Sequence, residues 1–134
     1  MPAALLPPAE RERLQALRSY QILDSGREDS FSDLAGLTVR LTCSPYALVS
    51  LFDARRQWIK ASHGLDVAET PRQHAVCAHA ILAPHEPMVV PDATRDSRFA
   101  DNPLVTGAPW LRSYLGIPLL STEGHALGTL CVTR

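Results

Sequence analysis

The distribution of proline is the feature of this sequence that most restricts its fold. Seven of the 11 prolines lie between Pro71 and Pro118. Proline lacks a backbone N–H and its ring clashes with the preceding helical turn, so this segment cannot be one continuous helix or a central strand. We predict loops, interrupted by a short helix at about 74–82 and a short strand at 88–90. Long loops inside a compact domain are usually functional, and we expect these loops to cover a pocket.

Two helices are predicted before the proline-rich segment. The first covers residues 10–20, and its apolar residues recur at three-residue spacing: Leu14, Leu17 and Tyr20. The second follows Ser25 and Glu28, which have the spacing of a capping box. Its predicted core-facing residues are Phe31, Leu34, Ala35, Thr38 and Leu41.

The remaining β-rich segments predict antiparallel pairs. Residues 46–52 and 57–62 flank a polar turn and indicate one hairpin, and residues 114–120 and 126–132 indicate a second. With the short strand, the chain has five to six strands. Helices that precede hairpins favour an α+β domain with an antiparallel sheet and helices on one face, rather than a doubly wound parallel fold.

Composition excludes several classes of partner. The chain has 13 basic and 14 acidic side chains, so it presents no broad positive field for nucleic acid or for an anionic membrane surface. Its three cysteines are widely spaced and odd in number, which indicates free thiols rather than a disulfide framework. No run of 18 apolar residues is present. We expect a soluble cytoplasmic domain.

Four short segments, in this order and spacing, together resemble the bacterial GAF domains. They are residues 17–24 (LRSYQILD), 77–81 (CAHAI), 99–105 (FADNPLV) and 128–132 (GTLCV). The segments 90–92 (VPD) and 116–119 (GIPL) lie between them in register. The resemblance is to the subgroup found N-terminal to histidine kinase and diguanylate cyclase modules. It covers nearly the whole chain, so residues 1–134 are predicted to form a single GAF domain.

The resemblance implies a GAF/PAS-like fold, with the first two helices on one face of the sheet and a ligand pocket on the other face under the loops. It also implies a regulatory sensory function: a small ligand or partner changes the terminal helices and thereby biases an output kinase or cyclase domain outside this chain. GAF domains normally continue from the GTLCV strand into a long helix. The sequence stops at Arg134, so we expect that helix to be missing.

We expect the pocket to combine aromatic walls with a few polar groups on loops. The candidate ligand-binding residues are Trp58, His74, Asp92, Arg98, Trp110, Arg112 and Tyr114. The sequence identifies neither the ligand nor a cofactor.

The same residues disfavour metal, bilin and cyclic-nucleotide binding. Cys77 and His79 are two positions apart, roughly 200° around a helix, so they face opposite ways and predict no metal site. Bilin-binding members have a His directly after the tethering cysteine, whereas Ala78 follows Cys77 here. The Asn-Lys-x-Phe-Asp-Glu signature of cyclic-nucleotide binders is absent. Scattered arginines still allow a small anion.

Two alternatives to a ligand sensor remain. One enzyme branch of the family reduces free methionine sulfoxide with cysteines that converge at the pocket, so Cys77 and Cys131 are considered together. Because only His74 offers a nearby cation for Cys77 in sequence, we expect no catalytic residues. The other alternative is a ligand-free dimerisation module. In either case the apolar faces of the two predicted helices must be shielded from water. We therefore expect a homodimer with an interface built mainly from residues 9–42.

Overall fold

The structure is a computed structural model that describes residues 3–134, so Met1 and Pro2 of the predicted domain lie outside the described residues. The helices are α1 (Glu10–Ser19), α2 (Asp29–Thr42), α3 (Cys77–Ala80) and α4 (Pro103–Thr106). The strands are β1 (Tyr46–Phe52), β2 (Arg56–His63), β3 (Glu69–Pro71), β4 (Met88–Val90), β5 (Tyr114–Leu120) and β6 (Ala126–Thr133). The predicted α+β class is confirmed.

All six strands form one antiparallel sheet in the order β3-β2-β1-β6-β5-β4. The sequence prediction missed β3, a three-residue edge strand that ends at Pro71. Pro118 lies within β5 opposite Thr129 of β6, but β4 pairs only with residues 114–116 of β5. The N–H that Pro118 lacks is therefore not needed on the outer side of the strand.

The two central strands of the sheet are β1 and β6, which are the first and the last strands in the sequence. Leu51 lies opposite Gly128 and Ser50 opposite Thr129. A Cβ atom at Gly128 would lie 1.9 Å from the carbonyl oxygen of Ser50, so only glycine allows this approach of the two backbones. The glycine of the GTLCV segment is thus explained by strand packing.

The helices α1 and α2 cover one face of the sheet. Ala35 of α2 is fully buried against a cluster that contains Ala47, Val49 and Val132, with Phe31 and Val39 packed beside it. The predicted core face of α2 is therefore rotated, because Leu34 and Leu41 are 38% and 76% exposed. The repeat that contacts the sheet is Phe31, Ala35 and Val39, which also has helical spacing.

The predicted capping box is wrong. Helix α2 begins at Asp29 with Glu28 as its N-cap residue, and no side chain caps it. The hydroxyl of Ser25 instead lies 2.7 Å from Nζ of Lys60, which also reaches the carbonyl oxygen of Gly26 and the carboxylate of Glu28. The Lys60 ammonium group is buried in this way beneath the α1–α2 connection, and these oxygen atoms satisfy its hydrogen-bond donors.

The opposite face of the sheet packs under the proline-rich segment, which is mostly loop as predicted. The predicted helix at 74–82 is shorter in the structure, where a 3₁₀ turn at Arg72–His74 precedes α3. The largest core cluster lies on this face and includes Phe52, Ile81, Val90 and Phe99.

A buried ion cluster joins the two sides of the molecule. Arg13 and Arg72, which are 2% and 8% exposed, both bind the carboxylate of Glu10. Arg13 also donates to the carbonyl oxygen of Ala126 at 3.4 Å, and Arg72 to that of Asp53 at 3.1 Å. Burial raises the pKa of Glu10, but hydrogen bonds from Arg13 and Arg72 lower it overall to about 2. Helix α1 is thereby tied to the segment that leads into α3.

Acid should weaken the fold through Glu10. The pKa of Glu10 is depressed from 4.5 to about 2, so the stability it supplies is present above about pH 4.5 and is lost as the pH falls towards 2. We expect Glu10→Gln to lower the free energy of unfolding by on the order of 3 kcal/mol at pH 7, since it leaves buried guanidinium groups without a counter-charge. Urea unfolding of both proteins at pH 7 and pH 3 measures the difference, which should shrink at pH 3.

The matched control is Glu12→Gln, an exposed carboxylate on the same helix. It should change the free energy of unfolding by less than about 0.5 kcal/mol at either pH. Equal losses for Glu10→Gln and Glu12→Gln would contradict a structural role for the ion cluster.

A candidate ligand cavity and its thiol pair

The loop-covered face of the sheet contains a cavity of about 290 Å³. Its floor comes from the strands, and its walls come from α3, α4, the β2–β3 connection and the loop before β5. The apolar lining residues are Leu48, Leu65, Val67, Val76, Leu104, Ala108, Pro109 and Leu111. The polar ones are Gln57, Asp66, Thr70, Cys77, Tyr114, Cys131 and Thr133. An apolar wall with a few polar groups is typical of small-molecule sites.

A larger depression of about 860 Å³ lies on the helix face between α2 and β2. Arg27, Asp33, Arg40 and His63 line it, so it is a polar surface groove. Lys60 also lines it, but the ammonium group of Lys60 already binds oxygen atoms of the α1–α2 connection. We place the candidate site at the apolar cavity under the loops.

Asp66 is the only charged residue of the cavity lining, and the described lining contains no Arg, Lys or His. Asp66 is itself exposed, so its carboxylate meets molecules that enter from solvent, attracting a cation and repelling an anion. The cavity therefore suits a neutral or cationic molecule better than one that carries a phosphate or a carboxylate.

The most unusual chemistry in the cavity is a cluster of groups around Cys77. Its sulfur lies 3.7 Å from the sulfur of Cys131, and the hydroxyl of Tyr114 donates to it at 2.9 Å. Both cysteines are buried and free. Burial raises the pKa of Cys77, but hydrogen bonds from Cys131, Thr129, Tyr114 and Gln57 lower it overall to about 7. The pKa values of Cys131 and Tyr114 are raised well above their usual range.

The residues around the thiols are themselves fixed by a buried polar network. Nε2 of Gln57 donates to the hydroxyl of Ser50 at 2.9 Å, and that hydroxyl lies 3.1 Å from the hydroxyl of Thr129. The chain at Gly116 makes room for Tyr114, because a Cβ atom there would lie 2.2 Å from the Tyr114 hydroxyl. The strands thus hold the polar groups in place from below the cavity.

Of the seven predicted ligand-binding residues, the structure places only Tyr114 in the cavity lining. Trp58 lies on the helix face, packed against the cluster of Leu17, Leu51 and Leu127. The reason is strand alternation: Gln57 faces the cavity, so its neighbour in β2 faces the helices. Strand alternation means that only one of residues 57 and 58 can face the cavity. The sequence favoured the aromatic Trp58 over a buried Gln57, and the structure shows the reverse.

The other five predicted residues lie on the loops but outside the cavity. The guanidinium group of Arg98 binds the carboxylate of Asp96 at 2.8 Å and stacks on Phe99, and this hydrogen bond lowers the pKa of Asp96. The guanidinium group of Arg112 donates to the carbonyl oxygens of Val105 and Leu111.

Asp92 caps a 3₁₀ turn by accepting from the backbone N–H of Thr94. His74 accepts at its carbonyl oxygen from the side chain of Asn102, and Trp110 is 56% exposed. These residues fold the loops rather than line the cavity.

The structure gives Cys77 neutral hydrogen-bonding neighbours, which the expectation based on nearby cations in the sequence did not include. The hydrogen-bond donors come from Gln57, Tyr114, Thr129 and Cys131, which are distant in sequence and adjacent only in the fold. Among residues 3–134, no group of three or more His, Cys, Asp or Glu side chains is placed to hold a metal ion. No helix within the described residues is long and apolar enough to cross a membrane.

Comparisons with known proteins agree with this architecture. A cyclic di-GMP phosphodiesterase of Pseudomonas aeruginosa is 41% identical over 126 residues, which are 94% of this chain but 21% of that protein. This chain thus spans about a fifth of the length of that relative.

Two solved structures show the same fold at low identity. The free methionine-R-sulfoxide reductase of Neisseria meningitidis, in complex with its substrate, matches with a TM-score of 0.63 and 19% identity, covering 100% of this chain and 81% of that one. The GAF domain of an Acinetobacter phosphoenolpyruvate-protein phosphotransferase matches with a TM-score of 0.61 and 21% identity, covering 92% and 77%.

The family model of the GAF domain matches residues 10–134. This match covers both helices of the first face, the whole sheet and the loops that enclose the cavity. The chain belongs to the GAF domain family.

Proposed function

We propose that this chain is a regulatory GAF domain that binds a small neutral or cationic molecule in the cavity and transmits its occupancy to an output domain of a signalling protein. The observation that carries the proposal is the cavity, with an apolar wall and one carboxylate, Asp66. Its volume of about 290 Å³ is at the lower end for ligand sites, so the ligand is small.

The route of transmission starts at the loops and ends at the helices. A ligand beside Cys77 contacts the start of α3, and the segment leading into α3 carries Arg72. Arg72 binds Glu10 of α1, as does Arg13. A ligand that prefers one arrangement of this segment would shift the position of α1 by population shift.

The output proposed here is the turnover of a cyclic dinucleotide signal. The support is a relative that is 41% identical and is a cyclic di-GMP phosphodiesterase. This output differs from the kinase or cyclase that the sequence resemblance implied. We propose the cytoplasm as the location of the domain.

The cavity is testable with probes of similar shape and different charge. We expect benzyl alcohol and benzylammonium to perturb the NMR signals of Leu104 and Tyr114, and benzoate to bind at least about fivefold more weakly because Asp66 repels it. Asp66→Asn should remove most of that discrimination. Chemical-shift titration of the backbone amides measures all three affinities.

A variant that fills the cavity distinguishes binding in the cavity from binding at the protein surface. Ala108→Trp places a large side chain at the exposed rim of the cavity and should abolish the shifts, whereas Ala54→Trp, in the exposed β1–β2 turn, should not. Binding that survives Ala108→Trp, or no binding by any probe, would refute the proposed ligand site and favour a ligand-free dimerisation module.

A reductase is a second candidate function, because two cavity thiols lie 3.7 Å apart and the fold matches a free methionine-R-sulfoxide reductase. The described cavity lining has no cationic side chain to bind the carboxylate of a free amino acid. We therefore expect no turnover of free methionine sulfoxide with a dithiol reductant. Turnover in a coupled assay that is lost in Cys77→Ser but kept in Cys43→Ser would establish the enzyme instead.

We also propose a homodimer through the N-terminal helices. Leu34, Leu37 and Leu41 expose 38%, 53% and 76% of their surface along one side of α2. A row of exposed leucines is costly in water, and a two-fold contact covers it on both copies. Leu17 is fully buried within the chain and does not belong to this surface.

Sedimentation velocity tests the dimer. We expect the wild type to be dimeric at micromolar concentration and Leu41→Glu to be monomeric, because a buried unpaired carboxylate opposes association. The control Val89→Glu replaces an apolar residue on β4 that is 58% exposed, and it should stay dimeric. A wild-type chain that remains monomeric at high concentration would contradict the proposal.

A further inference from the structure

The two thiols of the cavity are brought together by the fold alone. Cys77 begins α3 and Cys131 lies on β6, 54 residues later, yet their sulfur atoms are 3.7 Å apart. Both line the cavity, although their residues are only 4% and 2% exposed. Molecules in the cavity therefore meet both sulfur atoms, while larger molecules in solution do not.

The surroundings of the two thiols differ in a way that assigns them different roles. Cys77 accepts hydrogen bonds from Tyr114 and other donors, which stabilise its thiolate and lower its pKa to about 7. The contact with Cys77 and burial raise the pKa of Cys131 well above its usual range. Cys77, whose sulfur accepts the hydrogen bond of the Tyr114 hydroxyl at 2.9 Å, is therefore the better nucleophile of the two.

We propose that Cys77 and Cys131 form a reversible redox pair that a small hydroperoxide entering the cavity converts to a disulfide. This goes beyond ligand sensing and shares only the cavity with the proposed function. A hydroperoxide is neutral and small, which suits a lining that contains one carboxylate, that of Asp66, and no cationic side chain.

The reaction balances in two steps. The Cys77 thiolate attacks one peroxide oxygen, the O–O bond breaks, and a sulfenic acid forms while the leaving alkoxide takes the proton that Cys77 released. The sulfur of Cys131 then attacks the Cys77 sulfur, an S–S bond replaces the S–O bond, and the departing hydroxide takes the Cys131 proton to become water. Two thiols are oxidised, and one hydroperoxide is reduced to an alcohol and water.

The disulfide would change the cavity. A sulfur–sulfur bond is about 2.05 Å long, so the two sulfur atoms must approach each other from their present separation of 3.7 Å. The hydroxyl of Tyr114 would then lose the thiolate that it binds. Thiol–disulfide exchange with an external dithiol restores both thiols, with the dithiol oxidised to its own disulfide.

The test is thiol counting after a peroxide pulse. The chain is reduced, freed of reductant, treated with hydrogen peroxide, quenched in acid, and alkylated in denaturant for mass spectrometry. We expect two of the three thiols to be lost, a Cys77–Cys131 crosslinked peptide, and recovery of both thiols with dithiothreitol. Cys43, which is exposed, should react at least about tenfold more slowly.

Matched variants identify each role. Cys43→Ser should still form the disulfide, Cys77→Ser should not, and Cys131→Ser should stop at a sulfenic acid that dimedone traps. Tyr114→Phe should slow the loss of thiols about fivefold, the effect of one hydrogen bond, while circular dichroism shows an intact fold. Gly116→Ala should act in the same direction because its methyl group displaces the Tyr114 hydroxyl.

Two results would overturn the inference: three thiols that persist in the folded wild-type chain, or oxidation confined to Cys43. Binding of benzyl alcohol is measured separately. A chain that binds this probe and keeps all thiols thus disproves the redox pair alone, and one that forms the disulfide without binding the probe disproves ligand sensing alone.

Discussion

The pairing of β1 with β6 is the constraint on which the rest of the structure depends. The two strands approach closely because Gly128 has no side chain to strike the Ser50 carbonyl. Their register places Leu48 opposite Cys131 and Ser50 opposite Thr129. Since alternate residues of a strand face opposite sides, Ser50, Thr129 and Cys131 lie on the cavity side of the sheet and their neighbours face the helices. One pairing thus defines both the helix-packing surface and the chemistry of the cavity floor.

The fold was largely predictable because it depends on local signals. Hydrophobic periodicity, turn residues and the proline distribution predicted the two N-terminal helices, α1 and α2. They also predicted five of the six strands at nearly their observed bounds. The edge strand β3 was missed because three residues ending in proline carry little periodic signal. The predicted core face of α2 was only partly correct, because the prediction grouped the exposed Leu34 and Leu41 with Phe31 and Ala35. Val39 completes the face that packs on the sheet.

The cavity was much less predictable than the fold, because it is made by residues that meet only across the sheet. Tyr114 was expected in the pocket, yet its importance comes from Gly116 and Cys77, which no local pattern links to it. Cys77 was considered and discounted on its sequence neighbours. Its actual neighbours belong to β2, β5 and β6. Trp110, a loop residue with a large aromatic side chain, proved to be exposed.

The electrostatic character of the cavity follows from where the arginines are engaged. Arg13 and Arg72 bind Glu10, Arg98 binds Asp96, and Arg112 binds loop carbonyl groups. These four guanidinium groups stabilise the scaffold around the cavity, and none of them lies in its described lining. The groups that stabilise the Cys77 thiolate are therefore uncharged hydrogen-bond donors, among them Tyr114, Thr129 and Gln57. A cavity without cations can thus still lower the pKa of a buried thiol, because several neutral donors converge on one sulfur atom.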